Sequence, residues 1–493
     1  MDALAPELDA GFRRRRPWVL AAMMLAVFMA AVEGTIVATA MPSIVADLGG
    51  FRLFSWVFGA FLLAQAVTTP LYGRFADVCG RKPTFFAGTA LFLLGSLCAG
   101  FARTMPQLIA LRALQGLGAG AVQPIAMTVV GDIYTPRERA RIQGFLSGVW
   151  GMSAVIGPVL GALFVSHLTW ALVFWINLPV GAVSMLMLAL FLREQRAPRR
   201  HRMDYAGAGL LSVGVAALMF ALIQGSALPP LWLAGLAATA ACCLGGLVWQ
   251  ERRAPEPMVP LDLWRTRVIT VGNLGALTSG ALLMGVVSFL PTYVQGVMGR
   301  SALVAGFTLT VMSLGWPSAS ITGGRLMLRT SYRFTAVLGG LMLVAGSLML
   351  AAMRPGDGAL WAGAGSFLTG LGMGFSATTF MVSIQSAVAW ERRGVATSGY
   401  MFMRILGQAL GTAMFGAVLN SGLARLGGGV PVNRLMHGAG ARAALPAAQA
   451  HELVAALAQA LSHVYVVSVA LALVTLALVV ALPRGLRPHG ELR

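Results

Sequence analysis

Between Pro17 and Pro42 the chain runs for about twenty-five residues with a single charged side chain, Glu33. A run of that length crosses a bilayer as one helix, which takes about 20 apolar residues at ~1.5 Å rise each. Inside hydrocarbon an ionised carboxylate costs about 2.5 to 3.5 kcal/mol on insertion scales, so the acid must be protonated, paired or turned toward a wet cavity. Arg13 to Arg16 precede the run and are expected to hold its start on the cytoplasmic side. Glu33 then lies ~24 Å up the helix, in the outer half of the membrane. Two readings of it stay open, a carboxylate merely satisfied inside a bundle and one that takes part in turnover. The run exceeds the apolar core of a cleaved leader, about 7 to 15 residues, and further apolar runs follow, so it reads as an uncleaved first helix.

The composition agrees with that reading. Of 493 residues, 57% are hydrophobic, 11% are charged and 60 are glycine, far from the roughly 25% charged residues of soluble domains. The net charge of +19 raises the idea of a nucleic-acid partner, but most of the Lys and Arg residues fall in connectors on one side of the predicted spans. That asymmetry is the positive-inside rule, and no nucleic-acid partner is expected. Cys79, Cys98, Cys242 and Cys243 have neither metal nor disulfide spacing. The phosphate-cradling pattern Gly-x4-Gly-Lys-Ser/Thr is absent, because Lys82, the only lysine, is followed by proline. With no nucleophile–base pair or metal cluster, neither an enzyme nor a resident cofactor is expected.

An all-α polytopic fold with fourteen spans follows. Residues 1–16 form a cytoplasmic tail, 17–192 a first six-helix bundle, 193–267 basic linkers with two inserted helices, and 268–482 a second six-helix bundle. The last region includes a long external segment, 422–460, with a short amphipathic helix at Ala447 to Ala460. Residues 483–493 form a second tail, and the even count places both termini in the cytoplasm. Gly73 to Lys82 and Thr135 to Arg141 read as charged cytoplasmic loops. The register repeats: Gly116-Leu117-Gly118-Ala119-Gly120 recurs as Gly370-Leu371-Gly372-Met373-Gly374, Gly73-Arg74-Phe75 as Gly324-Arg325-Leu326, and Pro42 as Pro291. The shared offset of about 250 implies that spans nine to fourteen copy spans one to six, as in transporters built from two six-helix bundles around a midplane site.

Several stretches carry a resemblance. Gly73, Asp77, Gly80, Arg81 and Lys82 resemble the loop motif of the major facilitator superfamily, in which glycines permit a tight turn and the acid pairs with basic groups and a helix end. The resemblance makes them, with Asp132, a cytoplasmic gate. Leu108, Arg112, Gln115 and Gly116 resemble the span-four motif with its buried arginine. Gly144, Gly157, Pro158 and Gly161 resemble the span-five motif of antiporters, with Ser153 and Ala162 in place of two glycines. Glu33 to Pro42, Trp175-Ile176-Asn177-Leu178-Pro179-Val180-Gly181 and Asp204 to Gly207 resemble fourteen-span drug:proton antiporters of the QacA/EmrB type.

The resemblance implies export of lipophilic or cationic small molecules in exchange for protons, by a monomer in the bacterial inner membrane, with protons as the coupling ion and no other cofactor. Depth arithmetic places Arg112 ~9 Å and Glu33 ~13 Å below the outer surface, with Gly157 at the same level. Glu33 and Arg112 are therefore the proton-coupling candidates. Phe61, Gln65, Gln123, Trp150, Asn273, Phe289 and Tyr293 are the substrate-binding candidates, since polyspecific binding needs apolar and aromatic surface with a few orienting polar groups. Arg404 sits mid-depth in span thirteen with no matching acid. Two rival readings keep the same fold: a dedicated exporter of one metabolite, siderophore or lipid, and a membrane receptor that does not transport.

Overall fold

A computed structural model of the protein describes residues 10–134, 136–192, 204–225, 228–254, 261–388, 392–425 and 447–483. Among these residues there is no strand, and fourteen helices are long and apolar enough to cross a membrane. The first six are α1 (Ala10–Leu48), α2 (Phe54–Cys79), α3 (Arg81–Ala99), α4 (Met105–Ile133), α5 (Pro136–His167) and, after a short turn of helix at Leu172–Trp175, α6 (Asn177–Phe191). The inserted pair is α7 (Tyr205–Gln224) and α8 (Pro230–Glu251). The last six are α9 (Arg267–Thr292), α10 (Ala302–Arg329), α11 (Tyr332–Ala351), α12 (Ala359–Ser386), α13 (Arg393–Arg425) and α14 (Ala447–Val480).

Three expected connectors are helical instead. The stretch Gly73 to Cys79 continues α2, and the whole turn into α3 is made at Gly80, whose φ of 98° is open to glycine and strained for other residues. Similarly, α5 begins at Pro136, within the expected loop, because proline in a first helical turn lacks only an N–H that has no partner there. At the far end, the amphipathic helix expected at Ala447 to Ala460 and the span expected from Leu461 are one helix. No Gly or Pro interrupts it, and its buried stripe runs unbroken through Leu453, Leu457, Ala460, Leu461, Val464 and Ser468. The external segment thereby shrinks. Its residues 426–446, like the linker 193–203 and both tails beyond 10–483, lie outside the described residues.

The internal repeat has a physical counterpart in close backbone contacts. A Cβ added at Gly116 would lie 2.3 Å from the Phe61 carbonyl oxygen, and one at Gly370 would lie 2.1 Å from that of Met312. The middle glycines face the next helix over: Gly118 meets the Phe92 nitrogen at 2.3 Å, and Gly372 the Leu343 nitrogen at 2.7 Å. Position for position, Phe61 and Met312, and Phe92 and Leu343, are separated by the same step of 251 residues. On α5 and α13 the correspondence continues, since Gly157 lies against Val32 and Gly411 against Ala281. Small residues thus let α4 and α12 approach their neighbours to backbone contact.

The two copies touch from mid-depth, where an added Cβ on Gly151 would lie 3.3 Å from Pro317, to the end of the helices at which α1 stops at Gly49 and Gly50. There Gln295 donates to the Thr39 carbonyl at 3.3 Å, Asn420 donates to the Arg52 carbonyl at 2.9 Å, and the Phe54 and Phe289 rings lie 5.4 Å apart. Gly306 abuts Pro158, and Gly416 abuts Ser55. The inserted α7 packs beside this junction, with Trp56 against Phe220 at 5.8 Å and Asn420 donating to the Ile223 carbonyl. Its partner α8 buries only Ala240 and Glu251 and is otherwise turned outward. At the opposite end, the Arg16 end, the Arg16 guanidinium reaches Glu138 at 2.7 Å and covers the Tyr134 ring, tying α1 to the α4–α5 junction.

Also at the Arg16 end, an exposed ion pair joins Asp262 to Arg392, and the hydrogen bond from Arg392 holds the Asp262 carboxyl below its usual range. A depressed carboxylate contributes above its unfolded value, about pH 3.9, and loses that contribution only as pH falls through the lower folded one. Thermal scans between pH 6 and 8 should therefore show no pH dependence from this pair, and Arg392→Gln should shift the midpoint by less than about 2 °C, as for an exposed pair. Close packing makes a stronger prediction. Gly370→Ala should lower the melting midpoint by several degrees, an overpacking cost of about 1–3 kcal/mol. Gly363→Ala on the same helix, where an added Cβ meets nothing within 4 Å, should not.

Candidate functional site

Six parts of the first bundle converge on one carboxylate. Glu33 on α1 is fully buried, and Arg112 on α4 is 1% exposed. One Arg112 Nη donates to Glu33 Oε1 and also to Gln115 Oε1 at 2.5 Å, while Arg112 Nε donates to the Val57 carbonyl on α2 at 3.1 Å. The other carboxylate oxygen accepts from Asn177 Nδ2 of α6 at 2.6 Å. Behind them the Ser96 hydroxyl on α3 accepts from Gln115 Nε2 at 2.7 Å and from Asn177 Nδ2 at 2.9 Å. The guanidinium lies 4.1 Å from the Phe61 ring centre and 5.8 Å from that of Phe174.

The local sequence explains why these groups meet. Arg112 and Gln115 are three residues apart, so they share one face of α4. Asn177 opens α6 after the turn at Leu172–Trp175, and that turn is fixed by the Trp175 indole donating to the Leu97 carbonyl at 3.2 Å. Gly157 sits on the far side of α1, where an added Cβ would be 2.2 Å from Thr35 Oγ1 and 3.3 Å from the Val32 carbonyl. Gly161 lies one turn further along, against the Ile36 carbonyl. Pro158 faces Gly306 of the second copy. The acid, the counter-charge and the glycine-lined helix contact do share one layer, as the depth arithmetic required.

A charged pair with no access to water is chemically a two-state device. Both carboxylate oxygens and the guanidinium are satisfied, so the ionised arrangement is stable as it stands. Protonating Glu33 removes its claim on Arg112, and a buried cation left behind costs about 3–5 kcal/mol unless something else moves.

The remaining expected residues are dispersed. Phe61 is buried against Arg112, so its ring belongs to the ion-pair site and not to an open binding surface. Phe289 is fully buried between Phe54 and Phe415, and Tyr293 is 1% exposed, donating to the Met353 carbonyl at 3.1 Å. Both pack in this structure, Phe289 at the junction of the two copies and Tyr293 inside the second bundle against the Tyr465 ring. Asn273 lines a small apolar cleft with Leu263, Trp264, Ile269 and Val395, 16 residues or ~24 Å along α9 from Phe289. Gln65 and Gln123 are half-buried, and Trp150 is 37% exposed. These residues do not form one pocket.

Of the expected gate, Lys82 donates to the Ala189 and Leu192 carbonyls at 2.8 and 3.0 Å, capping the end of α6 within its own bundle. Arg81 starts α3, half-buried, and Gly73 lies within α2 with open space beside it. The side chains of Asp77 and Asp132 and the surroundings of Gly144 lie outside the described residues. The sequence reading missed Ser96 and Phe174 as parts of the site. A single serine in an apolar run carries no signal, and Asn177 and Gln115 were visible only as members of motifs.

Known proteins place this geometry. The chain is similar to Multidrug resistance protein 3 of Bacillus subtilis (strain 168), 35% identical over 81% of this chain and 79% of that protein. It is also similar to Multidrug transporter protein MdtP of the same organism, 34% identical over 83% of this chain and 76% of that one. Among solved structures, a bacterial homolog to the human lysosomal transporter Spinster, in an inward-facing and unoccupied conformation, matches the fold with a TM-score of 0.68 at 16% identity, over 94% of this chain and 96% of that one. The family model of the Major Facilitator Superfamily matches residues 23–412, spanning the ion-pair site, both glycine runs and the Gln295 and Phe289 contacts between the copies. By that match and by its fourteen-helix architecture, the chain belongs to the Major Facilitator Superfamily of membrane transporters.

Proposed function

We propose that the protein exports lipophilic or cationic small molecules in exchange for protons, by alternating access, as a monomer in the bacterial cytoplasmic membrane with both termini in the cytoplasm. Relatives whose names describe multidrug resistance and multidrug transport support the efflux half of this reading. The observation that carries the proton half is the sealed Glu33–Arg112 pair. A carboxylate in that setting exchanges a proton only if the helices around it rearrange, and that requirement links protonation to conformation.

The contacts between the copies fit one end state of such a cycle. They run from mid-depth to the Gly50 end, the outer one in the orientation set by the basic connectors, so the space between the bundles is closed outward. Opening outward breaks the Gln295 and Asn420 hydrogen bonds and parts Phe54 from Phe289. Protonation from outside neutralises Glu33 and frees Arg112. Return to the inward state restores the pair as the proton leaves to the cytoplasm. Substrate and proton thereby compete for the same rearrangement rather than for one atom.

Two variants test this in proteoliposomes with an imposed pH gradient and a dye substrate such as ethidium. Glu33→Gln should abolish uphill transport while leaving dye binding within about threefold, and Glu33→Asp should keep partial activity with a shifted pH dependence. Uphill transport at the wild-type rate by Glu33→Gln would remove Glu33 from the coupling step. Arg112→Leu should lower thermal stability more than Glu33→Gln/Arg112→Leu does, because the single variant strands a buried acid, a difference of roughly 2 kcal/mol or more.

A further inference from the structure

Arg404 is a cation without a counter-charge. In the second bundle the sequence places acids only at Asp357, Glu391 and Glu452. Asp357 lies in the turn after α11, where it accepts from the Arg354 backbone at 2.7 Å. Glu391 precedes α13, and Glu452 lies near the start of α14. Arg404 sits eleven residues into α13, ~17 Å from that helix's start. Among the described residues it has no ion pair. Its Nε is enclosed with no hydrogen-bond partner, and its Nη2 reaches only the thioether of Met401, a weak acceptor, at 3.7 Å. Glu33, the acid at comparable depth, is fully engaged by Arg112 and Asn177.

The direction of the side chain follows from the burial pattern along α13. No residue from Met401 to Asn420 is exposed, so the helix is an inner one at this depth and Arg404 does not face lipid. Thr397, Met401, Arg404 and Gln408 recur at helical spacing and are all partly open. Higher on the same stripe, Phe415 and Leu419 are buried, and the Phe415 ring meets Phe289, which meets Phe54 of the first bundle. The stripe therefore leads up to the aromatic rings at the junction of the bundles and is partly open below them. On the first copy the position matching Arg404, 254 residues earlier, is Trp150, 37% exposed on α5.

We infer that Arg404, with Gln408 one turn away, receives the oxyanion of a lipophilic organic acid, a drug-sized carboxylate or sulfonate, so that the ligands of the central space include amphipathic anions as well as cations. A guanidinium presents its donors in a planar fork that matches such groups in two parallel hydrogen bonds. The Nη groups, of which one is held only by the weak Met401 thioether, supply those donors. An intramembrane cation with no protein partner is retained at a cost in insertion, and a ligand that completes its hydrogen bonds offsets that cost.

This inference rests on the efflux reading only in taking the space between the bundles as the ligand route, and the test separates the two. Purified protein in nanodiscs of phosphatidylcholine is titrated calorimetrically with 2-naphthoate and with its uncharged amide, 2-naphthamide, after subtraction of empty nanodiscs. Naphthoate should bind about 10-fold more tightly than naphthamide, the scale of one charge-assisted contact. Arg404→Gln should remove that preference and leave naphthamide affinity unchanged, and Arg404→Lys should retain part of it. Equal affinity for the two ligands in the wild type, binding of neither, or equal losses for both in Arg404→Gln overturns the site. The same preparations, returned to liposomes, are assayed for pH-gradient-driven ethidium movement. Movement without a naphthoate preference overturns the Arg404 site and leaves the efflux reading standing. A naphthoate preference without proton-driven flux does the reverse.

Discussion

Everything in the first bundle is arranged to keep the Glu33 carboxylate and the Arg112 guanidinium together and dry. Taking two charges out of water is repaid only where geometry is good and the remaining lone pairs and protons are satisfied. Here Asn177 holds the second carboxylate oxygen, Gln115 and the Val57 carbonyl take guanidinium protons, and Ser96 braces both amides. Each partner comes from a different part of the bundle, so the pair acts as a clamp on α1, α2, α3, α4 and α6 together. A helix that moves relative to the others must break one of these bonds, and a proton on Glu33 weakens those it accepts from Arg112 and Asn177.

The second bundle repeats the framework and discards the charges. Pro42 and Pro291 set the correspondence between α1 and α9, and it places Leu282 where Glu33 stands. The glycine runs set the correspondence between α4 and α12, and it places Ser366 at the Arg112 position and Thr369 at that of Gln115. Ser366 donates to the Thr308 carbonyl at 2.6 Å, the counterpart of the Val57 carbonyl that Arg112 reaches. Ser347, the counterpart of Ser96, has no partner for its buried hydroxyl. One copy carries an ion pair and the other an uncharged replica. By the sequence, the one charge placed mid-depth in the second copy is Arg404, on α13. The fold is symmetric, while its electrostatics are not.

Much of this was legible in the residues alone. Apolar run length gave fourteen spans because hydrocarbon leaves the backbone few other options. The glycine runs betrayed the repeat, and residue counting along straight helices brought Glu33, Arg112 and Gly157 to one level. What was misread has physical reasons as well. Charged stretches such as Gly73 to Cys79 look like loops, yet helices continue past the apolar layer into water when no residue stops them, and Gly80 alone does so here. Phe289 and Tyr293 are enclosed among other rings and Phe61 lies against Arg112, because residue type and depth along a span do not say which face of the helix a ring occupies. Ser96 and Asn177 contribute hydrogen bonds whose value appears only once four helices are assembled around them.

The central claim is that a bound substrate and a proton on Glu33 are linked through one rearrangement. Linkage requires that ligand binding change the number of protons held by the protein. The direct measurement is calorimetric titration of the purified protein with ethidium in buffers of different ionisation enthalpy, which reports protons released per ligand bound. Across a pH series, the account predicts proton release on ligand binding that grows as the buffer is acidified and the free protein takes up the proton, and none in Glu33→Gln at matched occupancy. Equal release from both proteins, or no release from the wild type, would contradict it.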